Sequence, residues 1–381
     1  MTSATRSLWI GTYPHPAAET AEGIWHAEVD VVAGRFQGAR LAARSPASSF
    51  LALSGDVLYA VAEQGAGAVR AFRTATDGSL SPLGPPVPTG GDSPCHVVVV
   101  PGAALVANYG DGVLSVVPVR ADGSLAGPAR RQGHAGSGPD PDRQEGPHAH
   151  FVATTGAAGS QVLVVDLGTD ELRRHDPAAP DGAVPGVAAT FPAGTGPRHL
   201  VELADGHLVV VGELDPALFV LAPTGRGRYD VVARYDVSPA VHDGPRSYPS
   251  HVALTADGTR LVVGVRGADV LSVHAVEAGP VLRHLGDVPT GGSWPRHLAI
   301  LRPGVATTGE PSHDLVVVAN QNDAPASPDL AGAGIPGPTS SLALVRLDRA
   351  TGAGEVLDTL VLPAPACVVE GDAPDVEAGP R

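Results

Sequence analysis

One phrase recurs along this chain at intervals of about fifty residues: a proline, one variable residue, usually a histidine, then an apolar run. It reads Pro94-Cys95-His96-Val97, Pro197-Arg198-His199-Leu200, Pro249-Ser250-His251-Val252 and Pro295-Arg296-His297-Leu298. A variant stands at Pro147-His148-Ala149-His150, with weaker copies at Pro46-Ala47-Ser48 and Pro365-Ala366-Cys367-Val368. Such a period, filled with short apolar runs and turns, predicts an all-β, seven-bladed β-propeller of four-stranded blades, one phrase per blade. The repeats use the whole chain, so a single domain is expected over residues 1–381. In a propeller the chemistry gathers at the mouth of the central channel, and the site is sought there.

The second repeat shows how a blade is built. His96 to Val100, Leu105 to Asn108 and Val113 to Arg120 read as strands, separated by turns at Pro101-Gly102 and Tyr109-Gly110-Asp111-Gly112. Asp122-Gly123 is a hairpin signal, because glycine takes the positive φ such loops need; Asp77-Gly78 and Asp257-Gly258 repeat it. No long amphipathic helix is read anywhere. The last repeat has a single strand after Pro365, while Leu8–Thr12, Gly23–Asp30 and Phe36–Arg44 precede the first phrase without an inner partner. The two defects cancel if the N-terminal strands close the last blade, which leaves no open edge. A Pro/Gly/Ala-rich insertion, Ala324–Ser340, is expected to be a mobile loop or lid.

Composition narrows the partners. All 25 basic residues are arginine, the net charge is −15, and no basic tract occurs. Nucleic acid and anionic membranes are therefore excluded as partners. A phosphorylated ligand would need a local positive pocket. Met1 to Tyr13 holds no apolar segment long enough for a signal peptide, and no run approaches a membrane helix. Cys95 and Cys367 read as small buried hydrophobes, and a cytoplasmic protein is expected. The oligomeric state stays open.

A repeat is its own control: what every copy shares is structural, and what one copy alone carries needs another reason. The residue two after proline is histidine in four blades (His96, His199, His251, His297), which suits packing against the next blade. One after proline the types diverge, and His148, Arg198 and Arg296 are chemically potent. The second-strand runs end at Thr12, Glu63, Asn108, Asp166, Glu213, Arg266 and Asn320. Because the two strands are antiparallel, both sets should meet at one rim. Asp166 and Asn108 also suit local turn bonding. Glu213 and Arg266 point to function, since a charge in the channel is costly unless paired or used. An ion pair of Glu213 with Arg198 or Arg266 would be equally consistent with a structural bridge.

Several segments resemble the seven-bladed lactonase family, which includes propeller-type 6-phosphogluconolactonases and fungal carboxy-cis,cis-muconate cyclases. They are Ile10-Gly11-Thr12-Tyr13, Val106-Ala107-Asn108-Tyr109, Gly146-Pro147-His148-Ala149-His150, Asp166-Leu167-Gly168-Thr169-Asp170, Gly194-Thr195-Gly196-Pro197-Arg198-His199, Glu213-Leu214 and Ala319-Asn320-Gln321. The resemblance implies a catalytic set of His148, Arg198, Glu213 and Arg266. Gly264-Val265-Arg266-Gly267 departs from it, lacking the asparagine that usually precedes the arginine.

Lactone hydrolysis needs an activated water, a place for the oxyanion and a proton for the leaving alkoxide. His148 is the expected base, with Glu213 to orient it or to hold the water. Arg198 and Arg266 would bind phosphate or carboxylate and stabilise the oxyanion. Arg296, His199, His150, Asn108 and Asn320 are the expected substrate-binding residues. The preferred reaction is 6-phosphogluconolactone to 6-phosphogluconate, with a small-molecule lactone or carboxylate as the only partner and no cofactor. The same residues suit a muconate-type cycloisomerase, and a non-catalytic binding propeller is the alternative of another class. With 4% aromatic residues the rim is poor in the exposed rings a binding platform uses; Trp294, the one aromatic near the mouth, reads better as packing between blades. Glu63, Asn108, Asp166 and Glu213 supply oxygens of the kind Ca²⁺ or Mg²⁺ accepts, yet the resemblance is to a metal-free family and no metal is expected.

Overall fold

The computed structural model describes residues 5–14, 22–242, 246–279, 281–302, 312–321 and 340–371. The insertion from Ala324 and the acid-rich tail after Gly371 lie outside them. Seven antiparallel sheets follow one another around a ring. Blade 1 starts at Leu51–Ser54, blade 2 at Pro94–Val100, blade 3 at Ala149–Thr155, blade 4 at Pro197–Glu202, blade 5 at Tyr248–Leu254 and blade 6 at Pro295–Ile300. Blade 7 begins with the C-terminal strand Pro365–Glu370 and is completed by Thr5–Thr12, Gly23–Asp30 and Arg35–Arg44. Leu8 pairs with Glu370 and Ile10 with Val368, so the two chain ends close the ring as expected. The first strands touch in succession, that of blade 7 touching that of blade 1.

Strand periodicity explains the packing. Side chains alternate between the faces of a strand, and in the second strand of blade 3 Val162 and Val164 pack toward blade 2 while Leu163 and Val165 pack toward blade 4. The core is thus seven apolar layers, one in each gap between blades. Each fully buried Leu or Val contributes about 1.5–3 kcal/mol. The hairpin glycines Gly78, Gly123 and Gly258 have φ of 72°, 84° and 71°. Among the described residues the helical segments are two short 3-10 turns, Ala157–Gly159 and Pro239–His242, and no helix there is long and apolar enough to cross a membrane.

The first strands place a belt of rings across the channel. Phe50, His96, Phe151, His199, His251 and His297 follow in order, with neighbouring centroids 4.0–5.3 Å apart, and His297 returns to Phe50. Cys367 holds the corresponding place in blade 7. The repeated histidines do bond across blades: the amide of Val152 donates to His96 Nδ1 and that of Val368 to His297 Nδ1. His199 Nδ1 and His251 Nδ1 lie 2.8 Å apart, so one ring donates and the other accepts.

Burial holds His96, His199 and His297 well below the ordinary imidazole value and His251 at about 3, with Arg198 adding to the effect. The unfolded chain takes up protons at these positions below about pH 6.5 while the native belt does not. Stability is therefore unaffected above that pH and falls as the pH drops below it, by up to about 1.4 kcal/mol per pH unit for each histidine. Thermal unfolding followed from pH 7.5 to 4.5 should show a steep loss below about 6.5; a flat profile would refute the neutral belt.

Candidate active site

One residue after its start, the first strand of several blades leaves the ladder. Pairing jumps from Ala149 to Phe151, from Pro197 to His199 and from Pro295 to His297; in blade 2 it jumps between the partners of Asn108 and Ala107, which are Pro94 and His96. The residues left out are His150, Arg198, Arg296 and Cys95. A bulge re-aims a side chain, and here it turns these groups to the channel mouth.

The pairing revises the reading of two blades. Ala149, not Pro147, faces the end of the second strand at Asp166, as Pro94 faces Asn108 and Pro295 faces Asn320. His150 therefore holds the place of Arg198 and Arg296, and His148 stands just outside the ladder. Blade 1 has the same two-residue offset. Ala47 takes a left-handed φ of 42°, as Ser93 (50°) and Trp294 (60°) do before Pro94 and Pro295, and Phe50 joins the ring belt. Ser48-Ser49-Phe50 is thus the working copy in blade 1.

The second-strand ends also divide into two registers. Asn108 and Asn320 pair with the phrase proline, are fully buried, and spend their amide nitrogens on packing. Asn108 Nδ2 donates to the Val113 carbonyl (2.8 Å) and Ser115 Oγ (2.9 Å), and Asn320 Nδ2 to the Thr290 carbonyl (2.9 Å). Asp166 Oδ1 accepts the amides of His148 (3.0 Å) and Thr169 (2.9 Å), a local turn. The place facing the pocket comes one residue later. Glu213 holds it after Gly212, which pairs with Pro197, and Arg266 after Val265, which pairs with Pro249. Tyr13 and Tyr109 hold it after Thr12 and Asn108. Aligning the repeats on their buried runs, rather than on the first polar residue, would have found both tyrosines.

Glu213 is the centre of charge. Its Oε1 lies 2.6 Å from Arg143 Nη2, and its Oε2 lies 2.7 Å from both Arg198 Nε and Arg266 Nη2. Burial alone would raise this carboxyl, but the guanidiniums of Arg266, Arg143 and Arg198 hold it well below the usual carboxylate range. Glu213 is therefore committed to arginines rather than to orienting His148. Arg198 also donates to the Ser250 carbonyl (2.7 Å) and reaches His199 Nε2 (3.1 Å). Arg266 donates to the Tyr248 carbonyl (2.9 Å) and lies against the face of Trp294, 5.4 Å from its centroid. Trp294 is buried. Burial and the neighbouring Arg266 push the Arg198 guanidinium down to about 9. Burial likewise lowers Arg266.

Across the pocket, Arg296 Nη2 donates to Tyr13 Oη (2.6 Å), and Tyr13 donates to Glu63 Oε2 (2.5 Å). Four guanidiniums (Arg143, Arg198, Arg266, Arg296) thus stand around two carboxylates, Glu63 and Glu213, in a chain of net charge −15. The mouth is locally cationic and suits an anionic ligand.

The two histidines differ. His148 stacks on Tyr109 at 4.4 Å; its Nδ1 lies 2.7 Å from the Tyr109 carbonyl and its Nε2 3.2 Å from Glu145 Oε1. Both ring nitrogens are engaged. His150 is buried, its Nδ1 is enclosed with no partner among the described residues, and burial and Arg198 hold it well below the ordinary imidazole value, hence neutral. Among the described residues no three His, Cys, Asp or Glu side chains converge as metal ligands do.

Arg143 and Glu145 escaped the repeat argument because they sit on the loop between Arg130–Gln132 and Ala149–Thr155. Gln144, between them, is fully buried, and its Nε2 donates to the Leu167 carbonyl (2.9 Å) and Asp170 Oδ1 (2.8 Å). Asp170 also accepts the amides of Gly194 and Gly196 at 2.7 Å, in the turn leading to Arg198. One carboxylate therefore fixes two of the three segments that bring arginines to Glu213. Asp170→Asn turns a donor toward donors. It is expected to cost about 1–3 kcal/mol of stability and to raise KM more than it lowers kcat. Denaturant titration beside steady-state kinetics checks both.

These features define the class: the chain belongs to the Lactonase, 7-bladed beta-propeller family, whose model matches residues 7–327. The 6-phosphogluconolactonase of Bacillus subtilis (strain 168) is 29% identical to it over 374 residues, 94% of this chain and 97% of that one. The solved periplasmic gluconolactonase of Pseudomonas aeruginosa superposes with a TM-score of 0.81 at 28% identity, covering 97% of this chain and 100% of that one. A protein from Lactobacillus plantarum gives a TM-score of 0.79 at 28% identity, over 97% and 100% of the two chains.

Proposed function

We propose that the protein is a lactone hydrolase whose substrate carries an anionic group, 6-phosphogluconolactone being opened to 6-phosphogluconate. The observation that carries this reading is the excess of guanidinium over carboxylate at the mouth, where four arginines, two of them buried, face Glu213 and Glu63. An anion bound there would relieve the mutual repulsion of Arg198 and Arg266. The related chains named as 6-phosphogluconolactonase and gluconolactonase support the reaction class.

His150 is the general base in this reading, in place of His148, because its ring is neutral and its Nε2 has no hydrogen-bond partner among the described residues, whereas both ring nitrogens of His148 are engaged. It takes a proton from the attacking water. The carbonyl oxygen becomes an oxyanion facing Arg198, a preorganised cation in a dry site. On collapse the ring C–O bond breaks, and the proton held by His150 passes to the leaving alkoxide. Arg143 and Arg266 hold the phosphate. A neutral His150 beside cations is a weak base, and the bound phosphate strengthens it by offsetting their field. A cytoplasmic role in carbohydrate metabolism belongs to the same proposal, supported by the two unbridged thiols.

Proton release on adding fresh 6-phosphogluconolactone, beside unphosphorylated gluconolactone and corrected for spontaneous hydrolysis, tests the reading. Acceleration of the phosphorylated lactone at least tenfold above the neutral one is expected, roughly the worth of a charge-assisted hydrogen bond. Equal acceleration would remove the phosphate role, and acceleration of neither would shift the assignment to the cycloisomerase, another lactone or a binding propeller.

A further inference from the structure

The cluster on blades 6, 7 and 1 is not used by the hydrolysis above. Glu63 Oε2 is saturated: it accepts the Tyr13 phenol at 2.5 Å and the Ser49 hydroxyl. Its Oε1 accepts nothing among the described residues, and Glu63 is only half-buried. Arg296 gives one Nη2 hydrogen bond to Tyr13 Oη and lies over the Tyr13 ring, 4.8 Å from its centroid. Its Nε and Nη1 donate to no described residue, and Arg296 too is half-buried. Tyr13 stays protonated: burial raises its phenol well above the ordinary value, and Glu63 adds to this although Arg296 opposes it. The phenol therefore accepts from the guanidinium and donates to the carboxylate, locking the pair side by side. An open carboxylate oxygen beside open guanidinium N–H groups is an acceptor beside donors. That is the pattern adjacent hydroxyl groups satisfy, each giving its proton to the carboxylate and taking one from the guanidinium.

We propose that Glu63 and Arg296, held by Tyr13 and Ser49, form a polyol subsite that reads the vicinal hydroxyls of the substrate. This rests on the lactone hydrolase reading for the reaction, though not for the binding. The substrate then lies across the mouth with its phosphate toward Arg143 and Arg266 and its hydroxyls toward Glu63. The carboxylate at Glu63 also repels phosphate from that end, so the substrate's orientation is set by charge.

The test compares glucono-δ-lactone with the hydroxyl-free δ-valerolactone. Glu63→Gln should lower the ratio of their kcat/KM values roughly 10- to 100-fold, the worth of one or two hydrogen bonds to a charged group; Tyr13→Phe, a milder change, should move it in the same direction. An unchanged ratio in both variants would overturn the subsite. Calorimetric titration with gluconate and hexanoate reads the same site without turnover. The wild type should prefer gluconate, and Glu63→Gln should erase the preference. Absence of any preference in the wild type would also overturn the proposal, even if lactones are hydrolysed. A preference for gluconate without hydrolysis of any lactone would instead sink the reaction and keep the subsite.

Discussion

Glu213→Ala is expected to leave a protein that turns over no lactone and unfolds several degrees earlier than the wild type. The carboxylate is buried and touches three guanidiniums, two of them also buried. Removing one partner of a buried ion pair typically costs about 3–5 kcal/mol, because the remaining charge is left uncompensated. Here the remainder is three cations, with Arg198 and Arg266 already loosened by burial. Glu213→Gln keeps the shape and removes the charge, which separates packing from electrostatics. If charge dominates, inorganic phosphate should restore part of the lost melting temperature of the glutamine variant and do less for the wild type, since it stabilises whichever state binds it. A wild-type melting temperature in Glu213→Ala would show that the arginines do not need the carboxylate, and the account of the site would fail with it.

His150→Asn should lower kcat by about 10²–10⁴, the usual contribution of a general base, with little change in stability, whereas His148→Asn should cost less. His150 occupies the bulge place that Arg198 and Arg296 occupy in their blades, and its Nε2 has no hydrogen-bond partner among the described residues. His148 is held by the Tyr109 carbonyl and Glu145, and serves as a wall against the Tyr109 ring. Single-turnover rates for the two variants decide between them. The reverse order would return the base role to His148.

Why the architecture was readable and the site only half so follows from where each kind of information is stored. Blade number, the closure of blade 7 and the hairpin glycines are local patterns of apolar runs and turns, and a run such as Val162–Asp166 declares its own alternation. The pocket depends instead on counting residues through a bulge. Counting from Pro147 lands on His148, although the ladder begins at Ala149; counting to the first polar residue lands on Asn108 and Asn320, although the pocket place is Tyr109 and its counterparts. Glu213, Arg198 and Arg266 were found because a charge in a buried run is conspicuous in any register. Arg143 lies on an irregular loop, outside every repeat, and only the folded chain brings it within 2.6 Å of Glu213.

The belt of rings has a consequence for traffic. Phe50, Phe151 and the four histidines pack ring against ring beneath the charged mouth, and the cavity of about 450 Å³ beyond them, lined by Leu200 and Leu254, lies on the other side. Rings spaced this closely would leave solutes no straight passage between the two. Whatever enters at the arginines must leave past them, and the next molecule waits for that exit. An acyclic product carrying the same phosphate as its parent lactone would hold the same doorway, so the enzyme would slow as its own product accumulates.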